Sequence, residues 1–349
     1  MAISNVDLVA AWQDVLTLSK LTAGEQVSLL ISDDSNRQVI ETARIAIGQM
    51  GAILTILTLP PLNGDVALSR DKSGFVGKTP LAGNRTALAA LKASDLVIDT
   101  MLLLFSPEQA EILQAGARML LAVEPPEIML RMKPTAEDGH RATVAATLLG
   151  RARVMTVTSP AGTDFRCDLG QYPVLRQKGY VDEPGGWDHW PSCLVATWPN
   201  EGSAEGILVI DTGDILLPFK RYARDPVRLS VESGFIRRIE GGFEAEYLRS
   251  YMESFHDPDA YAMAHVGWGL HDRAHWTTLG LYDREATIGM DARSFAGNFL
   301  WSSGPNNEAG GSRDTPCHMD IPLRGCSVSL DGEPVTVRGR LVAGTERKS

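Results

Sequence analysis

The pair of residues with the most definite chemistry is His318 and Asp320, in Thr315-Pro316-Cys317-His318-Met319-Asp320-Ile321-Pro322-Leu323. On a strand, positions i and i+2 point to one face, so an imidazole and a carboxylate would converge. A second imidazole would complete two histidines and one carboxylate. That is the arrangement of non-haem Fe(II) oxygenases, which leaves coordination positions open for substrate and O2. An isolated H-x-D is more often a surface or capping pair, so the second histidine decides the matter. His265 offers one, in Ala262-Met263-Ala264-His265-Val266-Gly267-Trp268-Gly269. The run is apolar and strand-like, and its small residues leave room for a metal and a substrate. The alternative is a satisfied core histidine.

Four further groups carry weaker signals. His189 sits in Gly185-Gly186-Trp187-Asp188-His189-Trp190-Pro191, a composition that predicts a loop. Flanking aromatics there suggest a ligand pocket in which the histidine acts as acid or base, or else a loop histidine bonded to a carbonyl. His271 and His275 form H-x-x-x-H without the glutamate of a zinc-protease motif, which reads best as a solvated face with partly packed rings. Ser302, in Trp301-Ser302-Ser303-Gly304-Pro305, lies in another turn-rich aromatic loop, and no G-x-S-x-G elbow surrounds it. Arg293 either meets a substrate oxyanion or pairs with Asp291 or Asp283.

The elements that must position these groups change character along the chain. In the first half, apolar strand-like runs at residues 26–32, 52–59, 96–100 and 119–123 alternate with helix-like stretches. Asn36 and Ser106-Pro107 look like helix starts. This alternation predicts a parallel sheet with helices on both faces. No glycine-rich phosphate loop follows any of its strands. Beyond about residue 155, strand-like runs at 154–159, 164–169, 207–212, 227–232 and 235–240 are joined by Gly, Asp and Pro turns. A helical stretch follows Gly241-Gly242. The expectation is an α/β chain of two domains: residues 1–155 forming an N-terminal parallel-sheet α/β domain, and residues 156–349 an α+β domain carrying the metal site.

Composition narrows the class. The chain has 349 residues, enough for a substantial core without disulfide or metal staples. Its 33 Lys+Arg against 43 Asp+Glu give a net charge of −10, which argues against nucleic acid or an anionic membrane as partner. Cys167, Cys193, Cys317 and Cys326 form no C-x-x-C pair and are expected to be reduced and mostly buried. The first residues lack a basic segment and a long apolar stretch, and no run is long enough to span a bilayer. The expected location is cytoplasmic.

Several stretches together resemble one family. They are Leu121-Ala122-Val123-Glu124-Pro125-Pro126-Glu127, residues 182–192, Thr197-Trp198-Pro199-Asn200-Glu201, Gly241-Gly242-Phe243-Glu244-Ala245-Glu246-Tyr247-Leu248-Arg249, His265-Val266-Gly267-Trp268-Gly269-Leu270, and residues 315–324. The chain resembles the Fe(II)-dependent 2,5-dihydroxypyridine 5,6-dioxygenases of nicotinate and nicotine breakdown over essentially its whole length. The resemblance implies a single Fe(II) held by His265, His318 and Asp320, and a fold akin to metallo-aminopeptidases of the leucyl type. It implies ring opening between C5 and C6 with O2 to give N-formylmaleamate, and a homo-oligomer, a hexamer. It places His189, Arg293 and Ser302 in the substrate pocket, with His189 as the candidate acid/base. Two further pocket positions depart from the family pattern: Phe105 stands where a His is expected and Gln177 where a Glu is expected. Phe105 could stack on the heteroaromatic ring. The rival readings are a two-metal hydrolase of the aminopeptidase type, which needs bridging carboxylates, and a non-catalytic small-molecule binding protein.

Overall fold

The computed structural model describes residues 3–61 and 79–342. The first half runs α1 (Asn5–Leu18), β1 (Gln26–Ile31), α2 (Arg37–Gln49), β2 (Ile53–Thr58), α3 (Arg85–Lys92), β3 (Leu96–Asp99), α4 (Pro107–Gln114), β4 (Arg118–Leu121), α5 (Pro126–Arg131) and α6 (Ala136–Arg151). There follow β5 (Val154–Thr158), β6 (Asp164–Asp168), β7 (Val174–Gln177), β8 (Trp187–His189), β9 (Leu194–Thr197) and β10 (Glu205–Ile210). A two-residue pair, β11 (Ile215–Leu216) and β12 (Arg221–Tyr222), precedes β13 (Val227–Glu232), β14 (Phe235–Gly241) and α7 (Phe243–Glu253). The chain continues through β15 (Met263–Gly269), α8 (Thr278–Leu281), α9 (Met290–Ser294), β16 (Phe299–Ser303), β17 (Met319–Leu323), β18 (Ser327–Leu330), β19 (Glu333–Val337) and β20 (Arg340–Leu341). The expected helix starts hold. Asn36 Oδ1 accepts from the N–H groups of Gln38 and Val39, and Ser106 Oγ accepts from that of Gln109, with Pro107 opening α4.

Three sheets carry the architecture. The first is parallel, in the order β2-β1-β3-β4-β8. Alternate side chains go to opposite faces. Leu29, Ile98 and Leu120 meet α1 and α2 on one face, while Leu30, Val97 and Leu121 meet α3 and α4 on the other. The second sheet has eight strands, β14-β13-β10-β6-β5-β18-β19-β20, and the third has five antiparallel strands, β17-β16-β15-β9-β7. One apolar core joins them, with Phe165, Leu208 and Leu229 against Val195, Val266, Trp301 and Ile321. All four cysteines are free and buried within these layers. No helix among the described residues is long and apolar enough to cross a membrane.

Two segments expected as loops are strands. Residues 187–189 pair in parallel with Met119–Leu121 and so extend the first sheet. Their aromatics have partners that composition does not reveal: Trp187 packs edge-on to Phe105 at 5.5 Å, and Trp190 edge-on to Trp12 at 4.7 Å. Residues 299–303 form β16, inside the third sheet, where Phe299 and Trp301 fill the core and the turn begins only at Gly304.

Buried carboxylates anchor the loops at the ends of the parallel strands. Asp99, the last residue of β3, accepts from the N–H groups of Met101 (2.7 Å), Leu102 (3.1 Å) and Leu103 (2.7 Å). Asp188 of β8 accepts from the N–H groups of Lys178, Gly179 and His189 and from the Ser192 hydroxyl. Burial pushes both carboxyls up to about 6 from 3.8, only partly offset by their donors. The folded chain therefore holds these protons more tightly than the unfolded chain. Their contribution to stability is most favourable below 3.8 and declines as pH rises through about 6. Asp188→Asn removes one of these titrations. Urea unfolding should show the wild-type advantage over the variant shrinking between ~pH 4 and ~pH 7. An advantage that grows over that window contradicts the assignment.

Candidate metal centre

One face of the third sheet is the floor of a cavity, because each strand alternates between core and cavity. On β17, Met319, Ile321 and Leu323 enter the core while Asp320 faces the other way. On β16, Leu300 takes the cavity side between Phe299 and Trp301. On β9, Leu194 and Ala196 flank the core residue Val195. Leu175 and Gln177 of β7 and His265 of β15 complete the floor, with His318 just before β17. The walls come from elsewhere. Leu104 and Phe105 follow β3, Trp187 and His189 come from β8, and Ile288, Met290 and Arg293 come from α9 and the turn before it. Phe105 has φ of 60°, the left-handed region, and its N–H donates to Gln109 Oε1 at 2.6 Å.

Strand order gathers the three proposed ligands. β16 lies between β15 and β17, with Ser302 paired to Asp320. Ser302 Oγ accepts the His265 N–H at 2.8 Å, where the β15–β16 register shifts. His265 Nε2 then lies 3.0 Å and His318 Nε2 3.1 Å from the same oxygen, Asp320 Oδ1. The three ligand atoms all fall within 4.8 Å of one another, and all three residues are buried. His265 Nδ1 is also buried and meets no hydrogen-bond partner. Two imidazole nitrogens and one carboxylate oxygen aimed at one point form a donor set that fits a single divalent transition-metal ion.

Charge is arranged around Asp320. Its other oxygen, Oδ2, accepts from Arg293 Nε at 2.7 Å, and Arg293 Nη1 donates to the Ile288 carbonyl. Burial alone would raise the Asp320 carboxyl. The Arg293 guanidinium and the two imidazoles outweigh it and hold the group well below the usual range. The same residue acts oppositely on His189: burial, then the Arg293 charge, pushes its imidazole down to about 3. His189 is therefore neutral near pH 7. Trp187 packs edge-on to the His189 ring at 5.6 Å.

The expected site residues fall into two groups. His189, His265, His318, Asp320, Arg293, Phe105 and Gln177 all line the cavity. Ser302 lies beneath it, with its hydroxyl engaged by the His265 backbone N–H and carbonyl. Arg293 pairs with Asp320 rather than with Asp291, which takes both terminal nitrogens of Arg131. Of the two histidines on the expected solvated face at 271–275, only His275 is exposed. His271 is fully buried, its Nε2 is 3.1 Å from the Met132 carbonyl oxygen, and burial lowers it to about 4. Gly267, expected to leave room for the ion, is instead required by packing, since a Cβ there would collide with the Val195 carbonyl. The residues that sequence reasoning missed are Asp99, Asp188 and Glu124, buried acids that hold cavity walls. An acid within or directly after an apolar strand run was the signal available for Asp99 and Glu124; Asp188, in a stretch that reads as a loop, gave none.

Similarity to known proteins bears on this geometry. A family model for 2,5-dihydroxypyridine 5,6-dioxygenase, NicX, matches residues 7–343. A curated 2,5-dihydroxypyridine 5,6-dioxygenase of Pseudomonas putida strain KT2440 is 51% identical over 349 residues, covering 100% of both chains. A solved structure of 2,5-dihydroxypyridine dioxygenase from P. putida KT2440 superposes with a TM-score of 0.96 at 50% identity, over 99% of this chain and 100% of that one. AmpT from Thermus thermophilus, of aminopeptidase-like fold, gives a TM-score of 0.63 at 15% identity over 97% and 99% of the two chains, a likeness of fold alone. With whole-chain identity at this level, and a site assembled from the stretches that carried the resemblance, the chain belongs to the 2,5-dihydroxypyridine 5,6-dioxygenase family.

Proposed function

We propose that this chain opens the ring of 2,5-dihydroxypyridine between C5 and C6, placing both atoms of O2 in the product N-formylmaleamate. His265, His318 and Asp320 hold a single Fe(II) for that reaction. The observation that carries the reading is the convergence of two imidazoles on one carboxylate oxygen at the floor of a largely apolar cavity. It occurs in a chain half identical, end to end, to a protein named for this reaction. Among the described residues one such three-ligand group is found, whereas a hydrolase of the two-metal type needs ligands for a second ion. As part of the same proposal the chain assembles as a homo-oligomer, a hexamer.

Bound Fe(II) would bring ring and O2 together on neighbouring open positions and supply electrons to dioxygen. The protein's own groups do the rest. Neutral His189 accepts the proton of a ring hydroxyl and later returns it. Arg293 keeps Asp320 ionised and adds positive charge that favours the substrate as an anion. Phe105, with Trp187 packed edge-on to it, offers an apolar aromatic wall to the planar ring. Gln177 offers an amide that can donate to a ring substituent and accept from another. Leu104, Leu175, Ile288 and Leu300 exclude water, which strengthens each polar contact inside.

After anaerobic loading, His265→Ala, His318→Ala and Asp320→Ala should each retain less than about a tenth of the wild-type iron, read by metal analysis of the folded protein. Full iron content in any one removes that residue from the ligand set. His189→Gln should keep its iron and lose about 10²–10⁴-fold in kcat. A wild-type kcat in that variant assigns the proton transfer to another group.

A further inference from the structure

Glu124 follows Ala122-Val123 after β4, stands before Pro125-Pro126, and is 1% exposed. Such a turn ordinarily faces water. Here the carboxylate points into the molecule and holds a segment distant in sequence. Oε1 accepts the Met290 N–H at 2.8 Å and Oε2 the Ile288 N–H at 3.3 Å, with the Thr287 hydroxyl as a third donor. The intervening Gly289 has φ of 88°, and Thr287 Oγ1 accepts its N–H at 3.0 Å. The 287–290 turn is therefore wrapped around one buried carboxylate. Burying a charge in this way is costly unless fixed donors surround it.

The turn does not end at the cavity wall. The Ile288 carbonyl accepts from Arg293 Nη1, and Arg293 Nε donates to Asp320 Oδ2 at 2.7 Å. Asp320 Oδ1 is the oxygen on which the two imidazoles converge. A continuous series of polar contacts thus runs from the segment after β4 of the parallel sheet to the proposed ligand carboxylate. A planar guanidinium gripped at two points transmits a shift of Ile288 to the orientation of Asp320.

We propose that Glu124 is a positioning residue for the metal-binding carboxylate of Asp320, acting through the 287–290 turn and Arg293. The proposal rests on the metal-centre reading above and concerns affinity and geometry at the ion, not contact with substrate. Glutamine at position 124 keeps the size but replaces one acceptor oxygen with a donor, so the N–H of Ile288 or Met290 loses its partner.

The test is anaerobic titration of the full chain with Co(II), followed by its visible absorption, which reports both affinity and ligand geometry without turnover. Glu124→Gln should raise the Co(II) Kd about tenfold and shift the absorption bands. Thr287→Val, which removes one donor to the carboxyl and the acceptor of the Gly289 N–H but leaves Glu124 itself, should act in the same direction by a smaller factor, and it serves if the glutamine variant does not fold. Arg293→Lys breaks the relay further along. If Glu124 acts through Arg293, the double variant Glu124→Gln/Arg293→Lys should bind no more weakly than Arg293→Lys alone, within about twofold. Additive losses mean that Glu124 acts by another route, and wild-type affinity in Glu124→Gln, or in Thr287→Val where that variant stands in, overturns the proposal. A wild-type chain that binds no Co(II) and no Fe(II) overturns the metal-centre reading itself, and the relay with it.

Discussion

Everything at this site depends on keeping one carboxylate ionised out of water. Asp320 is 3% exposed, and an unpaired charge there would be protonated rather than buried. The fold gives its two oxygens different partners: Arg293 on Oδ2, and the two imidazoles on Oδ1. This division has a chemical consequence. Because Arg293 offsets the charge of Asp320, a divalent ion held there would keep positive charge available to attract an anionic ring oxygen. Burial, with the guanidinium adding to it, keeps His189 neutral, so Arg293 bears on the charge state of both the carboxylate and the nearby imidazole.

Two sheets divide the work. The antiparallel sheet supplies the proposed ligands from β15 and from β17 with the residue before it, on either side of β16, and alternate residues fill the shared core. The parallel sheet supplies part of the walls from the ends of its strands, where open α/β sheets commonly place functional loops, and α9 with the turn before it supplies the rest. Each of three wall segments is gripped by a buried acid: Asp99 holds the turn leading to Phe105, Asp188 the join between Gln177 and His189, and Glu124 the turn before α9. Backbone N–H groups locked onto a carboxylate give a loop the rigidity of a strand end, which a site of this geometry needs.

The convergence of three residues was only partly legible. His318 and Asp320 share a face by strand periodicity, whereas His265 in its apolar run also read as a core histidine until the family resemblance joined it to them, and the fold brings all three together. The parallel sheet was legible from its alternation with helices. Residues 187–189 and 299–303 were not legible as strands. Each is short, rich in Trp, Gly or Ser, and strand-like only through pairing with Met119–Leu121 or with β15 and β17. The contacts of Ser302 were illegible for a similar reason. Its hydroxyl serves the β15 backbone, a partner set by register and invisible in sequence. Glu124 looked like a turn residue because of its prolines, and only the tertiary approach of the 287–290 turn gives it donors.

The most direct measurement of the central claim is oxygen accounting. Iron-loaded protein is mixed with 2,5-dihydroxypyridine under ¹⁸O₂, and the product is weighed by mass spectrometry at early times, before exchange with water. A ring-opening dioxygenase consumes one O2 per ring and leaves both labelled atoms in a product of unchanged carbon and nitrogen count. A product carrying one label or none, with oxygen drawn from water, contradicts the account.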